Sequence, residues 1–179
     1  ILSDSPPEKD VQWSEEGIVA SYKFIQKLWT MNNKILDEFK KNHLTDSSEK
    51  LNKYTNKFIK KIETNLDNFS YNIIIANLHE MQSFLSKEIE MGYSQKTIKE
   101  NYNKILVTML PIVPHLANEC IEMLGIRGKN IWPNYDENQL VEEKNLIVVQ
   151  INGKKRGLVQ VEQNIEEENL MKLIFADDK

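Results

Sequence analysis

The chain has 179 residues, of which 40% are hydrophobic and 28% are charged, with only 6 glycines and 5 prolines. This composition can bury a core and excludes collagen-like, low-complexity and disulfide-built proteins. The single cysteine, Cys120, has no partner for an intramolecular disulfide, and no apolar run approaches the roughly 18 residues of a transmembrane helix. We therefore expect a cytoplasmic protein that does not associate with membranes.

The charge is distributed unevenly along the chain, although the net charge is only −4. Residues 1–22 carry a net −4, residues 23–61 carry +6, and residues 62–179 carry −6. The overall balance argues against general binding of polyanions, whereas the basic stretch is where an anionic partner is expected to bind.

Apolar periodicity predicts a long first helix after an extended lead-in. Ser14 is a suitable N-cap, and the helix should end near Asn42, before a polar stretch. Residues that recur at three- and four-residue steps should form its apolar face: Ile18, Tyr22, Ile25, Leu28, Trp29, Asn32, Ile35, Leu36 and Phe39.

Three more helices are predicted before residue 125. The second should begin near Asp46–Ser48 and be broken by Asp67-Asn68, and the third should span about residues 69–90. The fourth begins after Ser94 and should be kinked or divided by Pro111 and Pro114. Four long helices with short connections favour an antiparallel bundle.

The remaining sequence has a different character. Two β-branched runs around Asn152-Gly153 predict a hairpin with strands at about 146–151 and 154–161, and a short helix should follow. A hairpin with one incomplete helix is too small to be stable alone, so we expect the chain to be a piece of a longer protein. The fold class is mainly α, in four segments: an extended lead-in (1–13), a helical bundle (14–125), a linker (126–145) and a truncated α/β domain (146–179).

The sequence contains none of the residue patterns typical of catalysis or metal binding. His43, His79 and His115 are far apart and lie near no cysteine pair or acidic metal motif. No glycine-rich phosphate loop joins a strand to a helix. Cys120 lies on an apolar helix face, where a small buried side chain is the expected role. We predict no catalytic residue, no metal site and no cofactor in this chain.

Basic residues on the second helix form the first candidate site. At 100° per residue they cover about a third of the helix circumference, which suits an RNA backbone, although a solvated lysine face is equally common. Lys23 and Lys27, one turn apart beside Trp29 on the first helix, would extend this surface. The residues of the predicted stripe are Lys50, Lys53, Lys57, Lys60 and Lys61.

The hairpin tip is the second candidate site. Lys154, Lys155 and Arg156 follow the predicted turn and place three cations on one projecting edge. They would bind a phosphate backbone or, equally well on physical grounds, protect an edge strand from aggregation.

Five segments resemble the C-terminal part of bacterial-type leucyl-tRNA synthetases and occur in that family's order. They are SPPEKDVQWSEEGI, YKFIQKLW, LPIVPHLANECIEMLG, IWP and LIVVQINGKKRG. Related valyl, isoleucyl and methionyl enzymes share the helical part, so the equivalent piece of one of these remains an alternative. A non-enzymatic helical interaction module is the alternative from another class. The strand VVQINGKKRG after the acidic stretch LVEEKN favours the leucyl family.

The resemblance implies a class I synthetase anticodon-binding fold and a role in holding tRNA(Leu). The intact enzyme would use ATP and Mg²⁺ to attach leucine to its tRNA, with a catalytic core N-terminal to this chain. Lys23 and Lys27 stand where the family's first helix usually carries arginines, and Lys154 and Arg156 match basic residues of its hairpin. We expect a monomer that contacts leucine and ATP only through the missing core.

Overall fold

A computed structural model describes residues 5, 8–10, 13–41, 43, 48–126, 130–140, 144–151, 154–162 and 165–176. The chain separates into two compact units, Ile1–Gln139 and Leu140–Lys179, and each is considered by itself. The domain limits expected from the sequence remain a prediction.

The first unit is a bundle of helices, as the sequence predicted. A short 3₁₀ turn follows the third helix at Ile89–Met91, and a second one, Glu137–Leu140, spans the boundary at which the unit ends. The α-helices are α1 (Glu15–Lys41), α2 (Glu49–Asp67), α3 (Tyr71–Glu88), α4 (Gln95–Met109) and α5 (Pro114–Met123).

The helix ends follow local sequence signals, and these predictions are confirmed. The Ser14 hydroxyl accepts a hydrogen bond from the Gly17 amide at 3.0 Å, and the Ser94 hydroxyl accepts one from the Thr97 amide at 3.2 Å. Gly92 adopts a left-handed φ of +75° after α3, a conformation that residues with a Cβ rarely take. Pro114 occupies the first turn of α5, where its missing N–H is tolerated.

One apolar core joins all five helices. Its most deeply buried members lie at helical spacing on α1 to α4, and α5 contributes Ala117 and Cys120. Burial of such side chains is worth roughly 1.5–3 kcal/mol each. The largest fully buried side chains are Leu28, Met31, Ile35, Ile59, Ile62, Ile74, Leu78, Met81, Ile98, Ile105, Leu106 and Met109.

Polar side chains inside this core join helices to one another. The Tyr102 hydroxyl of α4 donates to the Asn32 side-chain oxygen of α1 at 3.1 Å. On the preceding residue of α4, the Asn101 side-chain amide nitrogen donates to the Asn52 side-chain oxygen of α2 at 2.8 Å. Since a buried polar group without a partner is costly, these bonds fix the relative positions of three helices.

The inward face of α1 differs from the prediction. Ile18, Tyr22, Ile25 and Trp29 are exposed, and Trp29 is 37% accessible. At 100° per residue they form a second apolar stripe about 120° from the stripe that enters the core. Neighbouring helices cover this second stripe only in its C-terminal half, where Asn32 and Leu36 are buried. The residues of the core stripe are Phe24, Leu28, Met31 and Ile35.

Residues 130–140 are attached to the bundle. The Asp136 backbone N–H donates to the Asn56 side-chain oxygen of α2 at 2.7 Å. The ammonium group of Lys60 lies 5.8 Å from the ring centre of Tyr135, within the range of a cation–π contact. Trp132 packs against the core. This segment therefore belongs structurally to the first unit.

The second unit contains the predicted hairpin and one helix, α6 (Glu167–Ala176). Strands β1 (Lys144–Ile151) and β2 (Lys154–Glu162) pair antiparallel, which confirms the hairpin. The pairing contains a bulge between Val149 and Gln150 of β1. At this point β2 has one extra residue, Arg156, which pairs with no residue of β1. The predicted Asn152-Gly153 turn lies outside the described residues.

The buried thiol yields a prediction about reactivity. Burial raises the pKa of Cys120 from 9.0 to about 11, and the charge of Glu119 adds to the rise. The thiolate is the reactive form, and two pKa units lower its population about a hundredfold. A disulfide reagent at pH 8 should therefore modify the native chain at least about a hundredfold more slowly than the urea-unfolded chain. Equal rates in the two states would contradict this burial.

Candidate nucleic-acid interface

The structure places five predicted lysines on α2 and two on α1, all in the first unit. A hollow of about 440 Å³ between α2 and α3 brings Lys50, Lys53 and Lys57 together. The stacked rings of Tyr54 and Phe84, whose centres are 3.7 Å apart, also line this hollow. Lysines beside aromatic rings are a usual arrangement for binding single-stranded nucleic acid.

Three of the five stripe lysines of α2 nevertheless form ion pairs with carboxylates. Lys53 forms an ion pair with Glu49 at 2.9 Å, and Lys61 forms one with Glu80 of α3 at 3.2 Å. Lys50 donates a hydrogen bond to Glu88 at the end of α3. A phosphate group would have to compete with these carboxylates for the same ammonium groups.

Glu88 is the most constrained of these partners. It is buried, and it also accepts a hydrogen bond from the Tyr93 hydroxyl at 2.5 Å. Burial opposes ionisation of Glu88, but the hydrogen bonds from Lys50 and Tyr93 outweigh it and lower its pKa from 4.5. Removal of Lys50 from this carboxylate would leave a buried charge without its cation, which is costly.

A second cationic site lies between α1 and α3, in a groove of about 360 Å³. Its α1 wall carries Lys23 and Lys27, which the sequence singled out, and Lys34, which it did not. No carboxylate is found among the residues that line this groove, and none of the three lysines forms an ion pair with a residue of the described structure. On the α3 wall lie Gln82 and Ser86.

A signal for Lys34 was present in the sequence. Lys23, Lys27 and Lys34 are spaced i, i+4 and i+11, so at 100° per residue they fall within about 40° of one another on α1. The sequence gives no corresponding signal for Gln82 and Ser86. Their position in the groove depends on how α3 packs against α1.

One of the groove lysines, Lys27, acts electrostatically on His79 of α3. The His79 ring stacks on Phe24 with a distance of 3.7 Å between ring centres. Burial against this neighbour lowers the pKa of His79, and the charge of Lys27 lowers it further. Both effects favour the neutral imidazole.

The hairpin candidate is described only in part. Lys154 and Lys155 belong to β2, but their side chains lie outside the described residues. Arg156 is exposed at the bulge. Its role in binding RNA therefore remains a prediction.

The described residues contain no group of three or more His, Cys, Asp and Glu side chains that could hold a metal ion. None of the helices described is both long and apolar enough to cross a membrane.

Comparison with known proteins places the chain in a family. Residues 48–171 match the family model described as the anticodon-binding domain of tRNA ligase. The chain belongs to this family of anticodon-binding domains. The match begins at the N-terminus of α2 and extends into α6, so it includes the hairpin.

Curated relatives agree with the leucyl resemblance found in the sequence. Leucine–tRNA ligase of Bartonella quintana is 35% identical over 99% of this chain, and that of Bartonella tribocorum is 34% identical over 99%. Leucine–tRNA ligase of Fusobacterium nucleatum is 31% identical over 97%. The chain covers only 21–22% of the length of these three relatives.

A solved structure shows the same fold. That solved structure is the LeuRS of Agrobacterium radiobacter K84 agnB2, crystallised as a ternary complex with tRNA and LeuAMS. The TM-score is 0.73 at 18% sequence identity, over 98% of this chain and 24% of that chain. The expected mainly α fold of the anticodon-binding type is therefore confirmed.

The ion pair of Glu88 generates a pH-dependent prediction. Because the folded-state pKa of Glu88 lies below 4.5, its ionised form stabilises the fold above that pH, and the contribution is lost as pH falls through the folded-state pKa. Glu88→Gln should lower the free energy of unfolding at pH 7 by about 1–3 kcal/mol, measured by urea denaturation.

The difference between the variant and the unchanged chain should shrink as the pH is lowered in steps below 4.5, through the folded-state pKa of Glu88. Glu122→Gln, at an exposed position of α5, is the matched control and should change stability little at either pH. A difference for Glu88→Gln that is independent of pH would contradict the role of the ionised carboxylate.

Proposed function

We propose that this chain is the tRNA-binding C-terminal portion of a leucyl-tRNA synthetase and that it positions tRNA(Leu) for ATP-dependent leucylation. In this proposal, leucine, ATP and Mg²⁺ are bound by a catalytic core in another part of the parent protein. The parent is a class I leucine–tRNA ligase, monomeric and cytoplasmic, and this portion carries no catalytic residue.

The observation that carries the proposal is the concentration of positive charge on one part of an acidic chain. Residues 23–61 carry a net +6 within a total of −4. On a rigid helical bundle, such a surface attracts a structured polyanion and contacts its phosphates, while the acidic remainder disfavours indiscriminate binding. The family match and the leucine–tRNA ligases among the relatives support the choice of tRNA(Leu) as the proposed polyanion.

Phosphate contacts give this surface a positioning role rather than a reading role. They fix the register and orientation of a nucleic acid without carrying sequence information, and folded RNA is recognised largely by shape and backbone. For the parent enzyme, holding the body of the tRNA brings the 3′ end to the active site at reduced entropic cost. The candidate residues for these contacts, between which the variants described in the next subsection discriminate, are Lys23, Lys27, Lys50, Lys53, Lys57, Lys60, Lys61, Lys154, Lys155 and Arg156.

One observation favours a second candidate, a helical interaction module whose α2 lysines do not contact RNA. Lys50, Lys53 and Lys61 all have carboxylate partners within the first unit. In that case these lysines would stabilise packing between helices, and any binding of RNA would depend little on salt.

Titration of the 179-residue chain with tRNA(Leu) and with an unrelated tRNA tests the proposed function. We expect tighter binding to tRNA(Leu), with affinity falling steeply between about 50 and about 200 mM salt because counterions are released from phosphates. Fluorescence anisotropy of end-labelled tRNA measures both quantities. Absence of salt-dependent binding to either tRNA would refute the proposal for this chain and favour the interaction module.

A further inference from the structure

We propose that the groove between α1 and α3 seats consecutive phosphates of one RNA strand through Lys23, Lys27 and Lys34, and that the α2 stripe does not. This inference rests on the proposed function and identifies where on the bundle the RNA backbone lies. It adds Lys34, Gln82 and Ser86 to the binding surface and removes the α2 lysines from it.

The three groove lysines form a straight cationic line. They lie on one side of α1, and the helical rise of 1.5 Å per residue places Lys23 and Lys34 about 16 Å apart along the axis. A single nucleic acid strand carries several phosphates over such a length. Because α1 is a continuous helix from Glu15 to Lys41, the line is held without a hinge.

The opposite wall supplies uncharged hydrogen-bonding groups. The Gln82 amide nitrogen donates to the Ser86 hydroxyl oxygen at 2.9 Å, which orients both side chains. Among the residues described, no acceptor is found for the hydroxyl hydrogen of Ser86, so it is available to a phosphate oxygen. The groove thus combines cations on α1 with a neutral donor on α3, the groups that commonly contact phosphates.

The difference between the two lysine sets lies in their neighbours. No ion pair within the described residues holds the groove lysines, so a phosphate can bind them without displacing a carboxylate. On α2, binding would first separate Lys50 from the buried Glu88 and Lys61 from Glu80. Loss of a partner by a buried carboxylate is the larger of these two costs. Electrostatics therefore favours the groove over the stripe.

Two triple variants with equal loss of charge test this inference. Lys23→Gln, Lys27→Gln and Lys34→Gln together remove the groove cations, whereas Lys53→Gln, Lys57→Gln and Lys61→Gln remove three cations from α2. For the groove variant we expect roughly tenfold or greater weakening of tRNA(Leu) binding and a salt slope reduced by about 2, since each phosphate contact contributes about 0.7–0.9 to the slope. The α2 variant should change affinity less than about threefold.

A third variant separates charge from folding. Lys23→Arg, Lys27→Arg and Lys34→Arg together should restore binding to at least the original affinity, because arginine keeps the charge and contacts phosphate with two donors. Thermal unfolding of all variants verifies the bundle, and the groove lysines are exposed, so little loss of stability is expected.

A spectroscopic measurement locates the RNA directly. His79 lies on α3, where the charge of Lys27 influences it, whereas His43 follows α1 and His115 lies on α5. Addition of tRNA(Leu) should shift the imidazole NMR signal of His79 more than those of the other two histidines, and this shift should be absent in the groove variant.

The possible outcomes separate this inference from the proposed function. Selective weakening in the groove variant, with recovery by arginine, supports the groove. If the α2 variant weakens tRNA binding as much as the groove variant does, or more, the groove is not the phosphate site. The proposal that the chain binds tRNA would then still hold. If the unchanged chain shows no salt-dependent binding, the proposed function fails and the groove assignment fails with it.

Discussion

The structure depends on hydrogen bonds between buried polar side chains of neighbouring helices. Nine of the fifteen residues of α4 are buried, including the polar Asn101 and Tyr102. Apolar packing alone tolerates small shifts of one helix along another, but a buried amide or phenol without its partner does not. The bonds to Asn52 and Asn32 therefore fix α2 and α1 on either side of α4. Because α1 is held in this position, its three groove lysines lie opposite Gln82 and Ser86 of α3, and the groove forms between the two helices.

Lysines of the same sequence region have two different physical roles in this bundle. Those on α2 face acidic side chains of α2 and α3, and Lys50 compensates the buried Glu88. Those on the groove wall share the groove with one another and with uncharged side chains, and no carboxylate lines it. A residue type and a helical spacing are thus not sufficient to identify a binding surface. The carboxylates supplied by the next helix determine whether an ammonium group stabilises the fold or remains available to a ligand.

Most of the fold could be predicted because its determinants are local. The helix bounds follow from apolar spacing, from the caps at Ser14 and Ser94, and from the break at Pro114. The core face of α1 could not be predicted, since two apolar stripes of equal periodicity occur on it and only the position of the other helices selects between them. The ion pairs between the α2 lysines and α3 carboxylates could not be predicted either, because they join residues far apart in sequence. Lys50 and Glu88, for example, are 38 residues apart. Lys34 was accessible to the same spacing argument as Lys23 and was missed.

The uncovered stripe of α1 has a consequence for the energetics of this helix. Phe24 is its first buried residue, so within the described structure the turns before it are held by local hydrogen bonds and the cap at Ser14. Such a helix end opens at a free energy well below that of global unfolding, and its amide hydrogens exchange correspondingly faster. Lys23 lies at the margin of this segment, whereas Lys34 lies where α1 is anchored. A partner that covered Ile18 and Tyr22 would order this segment, and a ligand at Lys23 would then lose less entropy on binding.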